Sequence, residues 1–265
     1  MKSSLNARVL VPALVLAAAV LGWEAAVRLA GIPNYILPAP SLVLTTLWQN
    51  LDSLAPAWWF TVKITAGALL LSAALGVALA ALFATSRWIE LSLFPFAVVL
   101  QVTPIIAIAP LILIYIDSTT AALLLCAWIV AFFPVLSNTV IGLRSADPNL
   151  KDLFTLYGAT RWQRLRLLLA PSALPYFLAG LKVAGGLSLI GAVAAEFTAG
   201  AAGRETGLAS RILEASFRTE VPKMFAALLL VSLTGVAIFL AFNLLSRVLI
   251  GRWHESESDR EYDRR

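Results

Sequence analysis

Charge, cysteine and histidine are what this sequence has least of. Only 13% of its 265 residues are Asp, Glu, Lys or Arg, against roughly 25% in a soluble domain. The deficit is matched by 60% hydrophobic residues, more than a water-soluble core can bury, so an integral membrane protein is expected. The one cysteine, Cys126, lies inside an apolar run and has no intrachain partner, which excludes a disulfide-stapled secreted scaffold. The one histidine, His254, sits in a charged C-terminal tail and cannot build a metal site alone. With no H-E-x-x-H motif and no His or Cys pair in an apolar segment, a membrane-embedded enzyme is disfavoured. A G-x-x-x-x-G-K-[ST] loop is also absent, so any nucleotide hydrolysis must come from another chain. The net charge of +5 is not arranged as a basic stripe with interleaved aromatics, and no nucleic-acid partner is expected.

What is present is a series of long apolar runs, at 9–30, 60–84, 91–116, 120–143, 172–197 and 223–250. Each reaches the roughly 20 residues that cross a hydrocarbon core. The expected fold class is therefore an all-α integral membrane bundle of about six transmembrane helices. It is read as one membrane domain over 1–265, with an N-terminal span in 1–30, a core in 60–250 and a charged tail at 252–265. The first run continues past Gly22 through Trp23 to Leu29, longer than a signal-peptide core, and is read as a retained span. Glu24 and Arg28, four residues apart, can pair on its face. Residues 31–59 form a proline-punctuated loop, with a short surface helix over 41–51 capped by Ser41. The third run holds Pro95, Pro104 and Pro110 and must bend or break. If the N-terminus is cytoplasmic, thirteen Lys and Arg face inside and six outside. That bias places both termini and the loop at 145–171 in the cytoplasm.

That loop, SADPNLKDLFTLYGATRWQRLRLLLAP, is the long polar-rich insert between apolar segments. Asp147 is an N-cap with Pro148 at the first helical position. Leu150, Leu153, Phe154 and Tyr157 then make one apolar stripe. Gly158 ends the helix, and Thr160 with Gln163 opens a second one as a capping box. Trp162, Leu165, Leu168 and Leu169 face one way, and Arg161, Arg164 and Arg166 mostly another. Such a pair of short amphipathic helices either lies on lipid or docks a partner outside the membrane.

Asp152, Gly158, Leu168 and Pro171 match the spacing of the signature E-A-A-x3-G-x9-I-x-L-P. Asp152 stands for the Glu, Leu153 and Phe154 for the alanines, Leu168 for the Ile and Ala170 for the Leu. The chain thereby resembles the permease subunits of bacterial binding-protein-dependent ABC importers, of the nitrate, sulfonate, taurine and pyrimidine type. The resemblance implies that this loop is the coupling helix, inserted into a cleft of a separate ATP-binding cassette subunit. Asp147, Asp152, Phe154, Tyr157, Gly158, Ala159, Arg161 and Pro171 would make that contact. It further implies a homodimer in the bacterial inner membrane, a soluble extracytoplasmic substrate-binding protein and a small solute as cargo. No cofactor is expected in this chain. The loop around AEFTAGAAGRETGLASRILEASF and the tail motif GRWHESE resemble the pyrimidine and vitamin branch more than the others.

Gln101, Thr103 and Pro104, in LQVTPIIAIAPLILIY, resemble the corresponding helix of the same subfamily. They either line a translocation pathway or belong to a kinked packing helix. In the fifth run, Gly180, Ala184, Ser188, Ala192 and Glu196 repeat every four residues. This stripe either packs inside the chain or forms a dimer interface, with Ser188 and Glu196 on the pathway. Lys182 either snorkels or pairs within the bundle. The competing function is a secondary transporter, or another multi-span protein not driven by ATP. It is weakened because Glu24 and Glu196 lie near the ends of their runs rather than at mid-depth.

Overall fold

A computed structural model describes residues 2–200 and 206–250, with side chains from residue 10 onward. The expected tail at 252–265, His254 included, lies outside the described residues. Eleven helices are described: α1 (Lys2–Leu29), α2 (Pro40–Gln49), α3 (Leu51–Thr85), α4 (Arg87–Val102), α5 (Ile105–Tyr115), α6 (Thr119–Arg144), α7 (Pro148–Leu156), α8 (Arg161–Arg164), α9 (Ala170–Ala199), α10 (Leu208–Phe217) and α11 (Val221–Ile250). A π turn, Leu165–Leu169, joins α8 to α9.

Five stretches are long and apolar enough to cross a membrane: Leu10–Leu29, α3, α6, Arg161–Ala199 and α11. The bent pair α4 and α5 makes a sixth if its two arms count as one broken span. Its two arms meet at 102°, across Thr103 and Pro104. The third run therefore breaks, and it breaks at Pro104 rather than at Pro95 or Pro110, which both stay inside helices. Pro104 takes an extended backbone and becomes the N-cap residue of α5.

The centre is α6, packed against α9 on one side and α3 on the other. Backbones come close because small residues face each other. A Cβ on Gly191 would stand 2.9 Å from the Ala127 Cα, and one on Gly180 would stand 2.9 Å from the Pro134 carbonyl oxygen. The four-residue stripe of α9 is thus spent inside the chain: Gly180, Ala184, Ser188, Ala192 and Glu196 are all buried. This decides for internal packing over a dimer interface along that face. Lys182 pairs within the bundle. Its Nζ donates to Asn243 Oδ1 at 2.6 Å and lies 4.6 Å from the Phe239 ring centre.

Three expectations for local structure are corrected. Residues 31–59 are not mainly loop: α2 covers 40–49 and α3 begins at Leu51, with Pro56 inside it. Ser41 is not the cap of α2, because the helix starts one residue before it, at Pro40, with Ala39 as N-cap residue. The second loop helix is not a separate piece either, since Arg161 to Ala199 runs unbroken through the π turn. There the Ala170 N–H reaches back to the Leu165 carbonyl. The widened turn comes just before Pro171, whose ring an ideal α-turn would drive into the carbonyl four residues earlier.

Candidate functional site

At the end of the bundle where α3 and α6 finish and α9 begins, residues 145–171 form the knob the sequence predicts. Asp147 caps α7, its Oδ1 accepting from the Asn149 N–H at 2.8 Å, with Pro148 at the first helical position. The helix closes in a Schellman motif: the Ala159 N–H donates to the Phe154 carbonyl at 2.9 Å and the Gly158 N–H to the Thr155 carbonyl at 3.0 Å. Gly158 has φ 64°, the left-handed region that disfavours a side chain. Thr160 and Gln163 form a complete capping box. Arg164 reaches back to the Thr155 hydroxyl at 2.7 Å and fixes the angle between the two pieces.

The surface of this knob is apolar where it protrudes. Leu156 is 85% exposed and Tyr157 83%, and Leu150, Leu153 and Trp162 are also exposed. Asp152, Gly158, Arg161 and Pro171 are exposed beside them, and Phe154 and Ala159 are half-buried. The ends of its two helical pieces are capped locally, while its largest side chains are not covered. Uncovered apolar surface of this kind either lies on lipid or takes a partner.

The opposite end of α9 is built the other way. Glu196 is 1% exposed. Its Oε1 accepts from the Thr61 hydroxyl of α3 at 2.8 Å, and its Oε2 from the Ala209 N–H of α10 at 3.0 Å. The Thr61 oxygen in turn accepts from the Leu208 N–H at 2.9 Å. Leu208 and Ala209 are the first two residues of α10, whose N-cap position is Gly207, with no side chain to offer. A carboxylate from one span and a hydroxyl from another therefore cap α10, satisfying donors its own sequence leaves open. The fit demands glycine: a Cβ on Gly207 would stand 2.1 Å from Glu196 Oε1.

A second tertiary cap of the same kind lies at this end. Glu24 of α1 accepts from the Ser41 N–H at 2.9 Å and from the Ser41 hydroxyl at 2.7 Å, and it pairs with Arg28 at 2.6 Å. Ala39 cannot cap α2, so Glu24 does. The Glu24–Arg28 pair follows from the sequence spacing, whereas the reach to Ser41 and the Glu196–Thr61–α10 clamp were missed. One signal was available for the clamp: an amphipathic helix opening after glycine, with no Ser, Thr, Asp or Asn at its cap.

The remaining candidates separate. Gln101 and Pro104 are exposed at the break between α4 and α5, and Thr103 is half-buried there, its hydroxyl turned back to the Val99 carbonyl at 2.6 Å. Ser188 and Glu196 are buried in the chain and do not join them. The Ser188 hydroxyl donates to the Gly185 carbonyl at 2.9 Å. Among the described residues no three His, Cys, Asp or Glu side chains gather as a metal site.

The chain matches the family described as binding-protein-dependent transport system inner membrane component over residues 72–253. It is 35% identical to the riboflavin transport system permease protein RibX of Chloroflexus aurantiacus, over 88% of this chain and 86% of that one. It is 32% identical to the formylaminopyrimidine transport permease protein ThiX of Halalkalibacterium halodurans, over 86% and 90%. Its fold is similar to that in a crystal structure of an amino acid ABC transporter with histidines, at a TM-score of 0.60 and 19% identity, covering 78% of this chain and 95% of that one. Secondary transport, left open by the sequence alone, gives way to these matches: the chain belongs to the inner membrane components of binding-protein-dependent transport systems, as a permease subunit of an ABC importer.

Proposed function

We propose that two copies of this chain form the pathway by which a small solute, released from an extracytoplasmic binding protein, crosses the bacterial inner membrane. Both termini are cytoplasmic in this reading, and ATP is hydrolysed by separate ATP-binding cassette subunits. The observation that carries it is the knob at 147–158, rigidly capped yet presenting Leu156 and Tyr157 uncovered. The ATPase cleft takes that knob, with Phe154, Tyr157 and Ala159 as its apolar contact and Asp152 and Arg161 at the rim. Because α8, the π turn and α9 are one continuous rod, a push at Gly158 travels along α9 towards Glu196. No cofactor in this chain is required: the work is mechanical.

The partner copy is assigned to the face of α9 away from the buried stripe, where Val183, Ile190 and Phe197 stand exposed. Gln101, Thr103 and Pro104, at the break, line the pathway. Ser188 and Glu196 reach it only in a state where α10 has left its place. For cargo, the names of the two relatives given above favour a flat heteroaromatic compound of the riboflavin or pyrimidine type over sulfonate, taurine or nitrate.

The single native thiol, Cys126, is buried. A Tyr157→Cys variant therefore carries one reactive thiol, and in membranes it should crosslink to a subunit that holds a P-loop. Crosslinking to lipid alone would sink the coupling role. Uptake in the intact system should stop on ATP depletion and persist with an uncoupler.

A further inference from the structure

Beside the knob, a cavity of about 700 Å³ opens between the α3–α4 turn, the end of α6, α7 and the π-turn junction. Arg87, Arg144, Lys151 and Arg164 line it, with Glu90 as the one acid among its lining residues. Glu90 is taken by Arg144, in an ion pair. The Lys151 ammonium donates only to the Arg144 carbonyl, at 3.2 Å. Arg87 forms no ion pair among the described residues. The Arg164 guanidinium uses one terminal nitrogen on Thr155, while its Nε is buried without a partner. Three cations are thus left uncompensated around one hollow, and a buried donor on its wall lacks an acceptor. A basic residue facing open water needs no explanation, but a buried Nε–H without an acceptor does. The floor, by contrast, is apolar, with Phe83 and Leu169.

We infer that this cavity binds a phosphate-bearing anion, and that the anion ties the α3–α4 turn to the coupling knob. Guanidinium forks such as Arg87 and Arg164 match phosphate oxygens geometrically, and one phosphate offers more acceptor oxygens to two guanidinium groups and the Lys151 ammonium than a single carboxylate would. The hollow lies where the apolar helices α3 and α6 end, so the phosphate has two sources. It is either an anionic phospholipid, whose glycerol and upper chain meet the apolar floor, or free inorganic phosphate. The inference does not depend on the cargo or on which side of the membrane the knob faces.

The test uses the full-length permease in its assembled transporter, purified in detergent. Phosphatidylglycerol, phosphatidylcholine and inorganic phosphate are titrated separately, with thermal stability and native mass spectrometry as readouts. Phosphatidylglycerol should bind and raise the melting temperature, and phosphatidylcholine should do neither. If inorganic phosphate gives the same rise, free phosphate is the ligand; if only the lipid does, the headgroup is. Arg87→Gln, at an exposed turn position, and Lys151→Gln should each weaken apparent affinity about tenfold, the loss expected for one charge-assisted hydrogen bond. Equal binding of phosphatidylcholine overturns the inference, and so does undiminished binding to the double variant. Binding of neither anion to the assembled transporter also overturns it, because the cations would then serve an acidic segment of a partner protein.

Discussion

The two ends of α9 solve opposite problems. At Glu196 the first two N–H groups of α10 find acceptors within the chain, on Thr61 and Glu196, which are buried. At Gly158 carbonyls in the last turn of α7 are also satisfied, but the large apolar side chains beside them are left in the open. The first arrangement is complete without a partner, the second is not. One rod therefore carries a self-sufficient clamp at one end and an unfinished interface at the other. Substitutions at the first should act on stability, and at the second on transport with stability nearly unchanged.

The clamp should show the larger effect on the fold. Gly207→Ala forces a methyl to within 2.1 Å of a buried carboxylate oxygen, and the carboxylate cannot retreat without leaving the Ala209 N–H. Overpacking of this sort costs about 1–3 kcal/mol. Glu196→Ala leaves the buried Ala209 N–H unmet and the Thr61 hydroxyl with only the Ala57 carbonyl, also at about 1–3 kcal/mol. Glu196→Gln should be milder. Its amide oxygen can keep the Ala209 N–H, and its NH2 can donate to Thr61, whose hydroxyl then falls back on the Ala57 carbonyl, 3.3 Å away. Melting temperatures in detergent should fall in the order wild type, Gln, then Ala. Equal loss for Gln and Ala would mean that the charge, not the hydrogen bonding, holds α10.

At the knob, Gly158→Leu sharpens the contrast. A Cβ there meets nothing within 4 Å, so only the left-handed backbone resists it, at about 1–2 kcal/mol. The variant should reach the membrane at near-normal abundance and lose most ATP-dependent uptake, since the Schellman turn that sets the knob's angle opens. Normal uptake at normal abundance would show that the turn carries no force. A Gly207→Ala variant with lowered stability but full coupling, beside a Gly158→Leu variant of the opposite kind, would separate the two ends cleanly.

The knob was legible because its determinants are local: a cap, a proline, a stripe and a glycine within a dozen residues fix α7 whatever surrounds it. The spans were legible from hydropathy alone. The clamp was not, because Thr61 and Gly207 lie far from Glu196 in sequence or carry no side chain to notice. An acid near the end of an apolar run reads equally well as a pathway mouth or a cap until its partners are known. The same holds for the stripe on α9, where small residues at four-residue spacing announce close packing without naming the neighbour. The 102° break was half legible: three prolines required a bend, but local sequence does not say which of them ends its helix.

The smallest expected effect lies on α10 itself, and it refines what the clamp does. Glu214 accepts from Arg211 at 2.8 Å and from Arg218 at 2.9 Å, on the part of the helix away from the Glu196 cap. The hydrogen bond from Arg211 is the main reason its carboxyl is held below the ordinary glutamate range, with the charges of Arg211, Arg218 and Lys223 adding to it. A lowered carboxyl value stabilises the folded form above the ordinary pKa, roughly 4.3, and that contribution fades as pH falls through the lower folded value. Partly exposed ion pairs of this kind contribute about 0.2–1 kcal/mol. Glu214→Gln should therefore lower the melting temperature slightly at neutral pH, and the gap from wild type should close on acidification below about pH 4. A gap that stayed constant down to low pH would assign the Glu214 effect to packing.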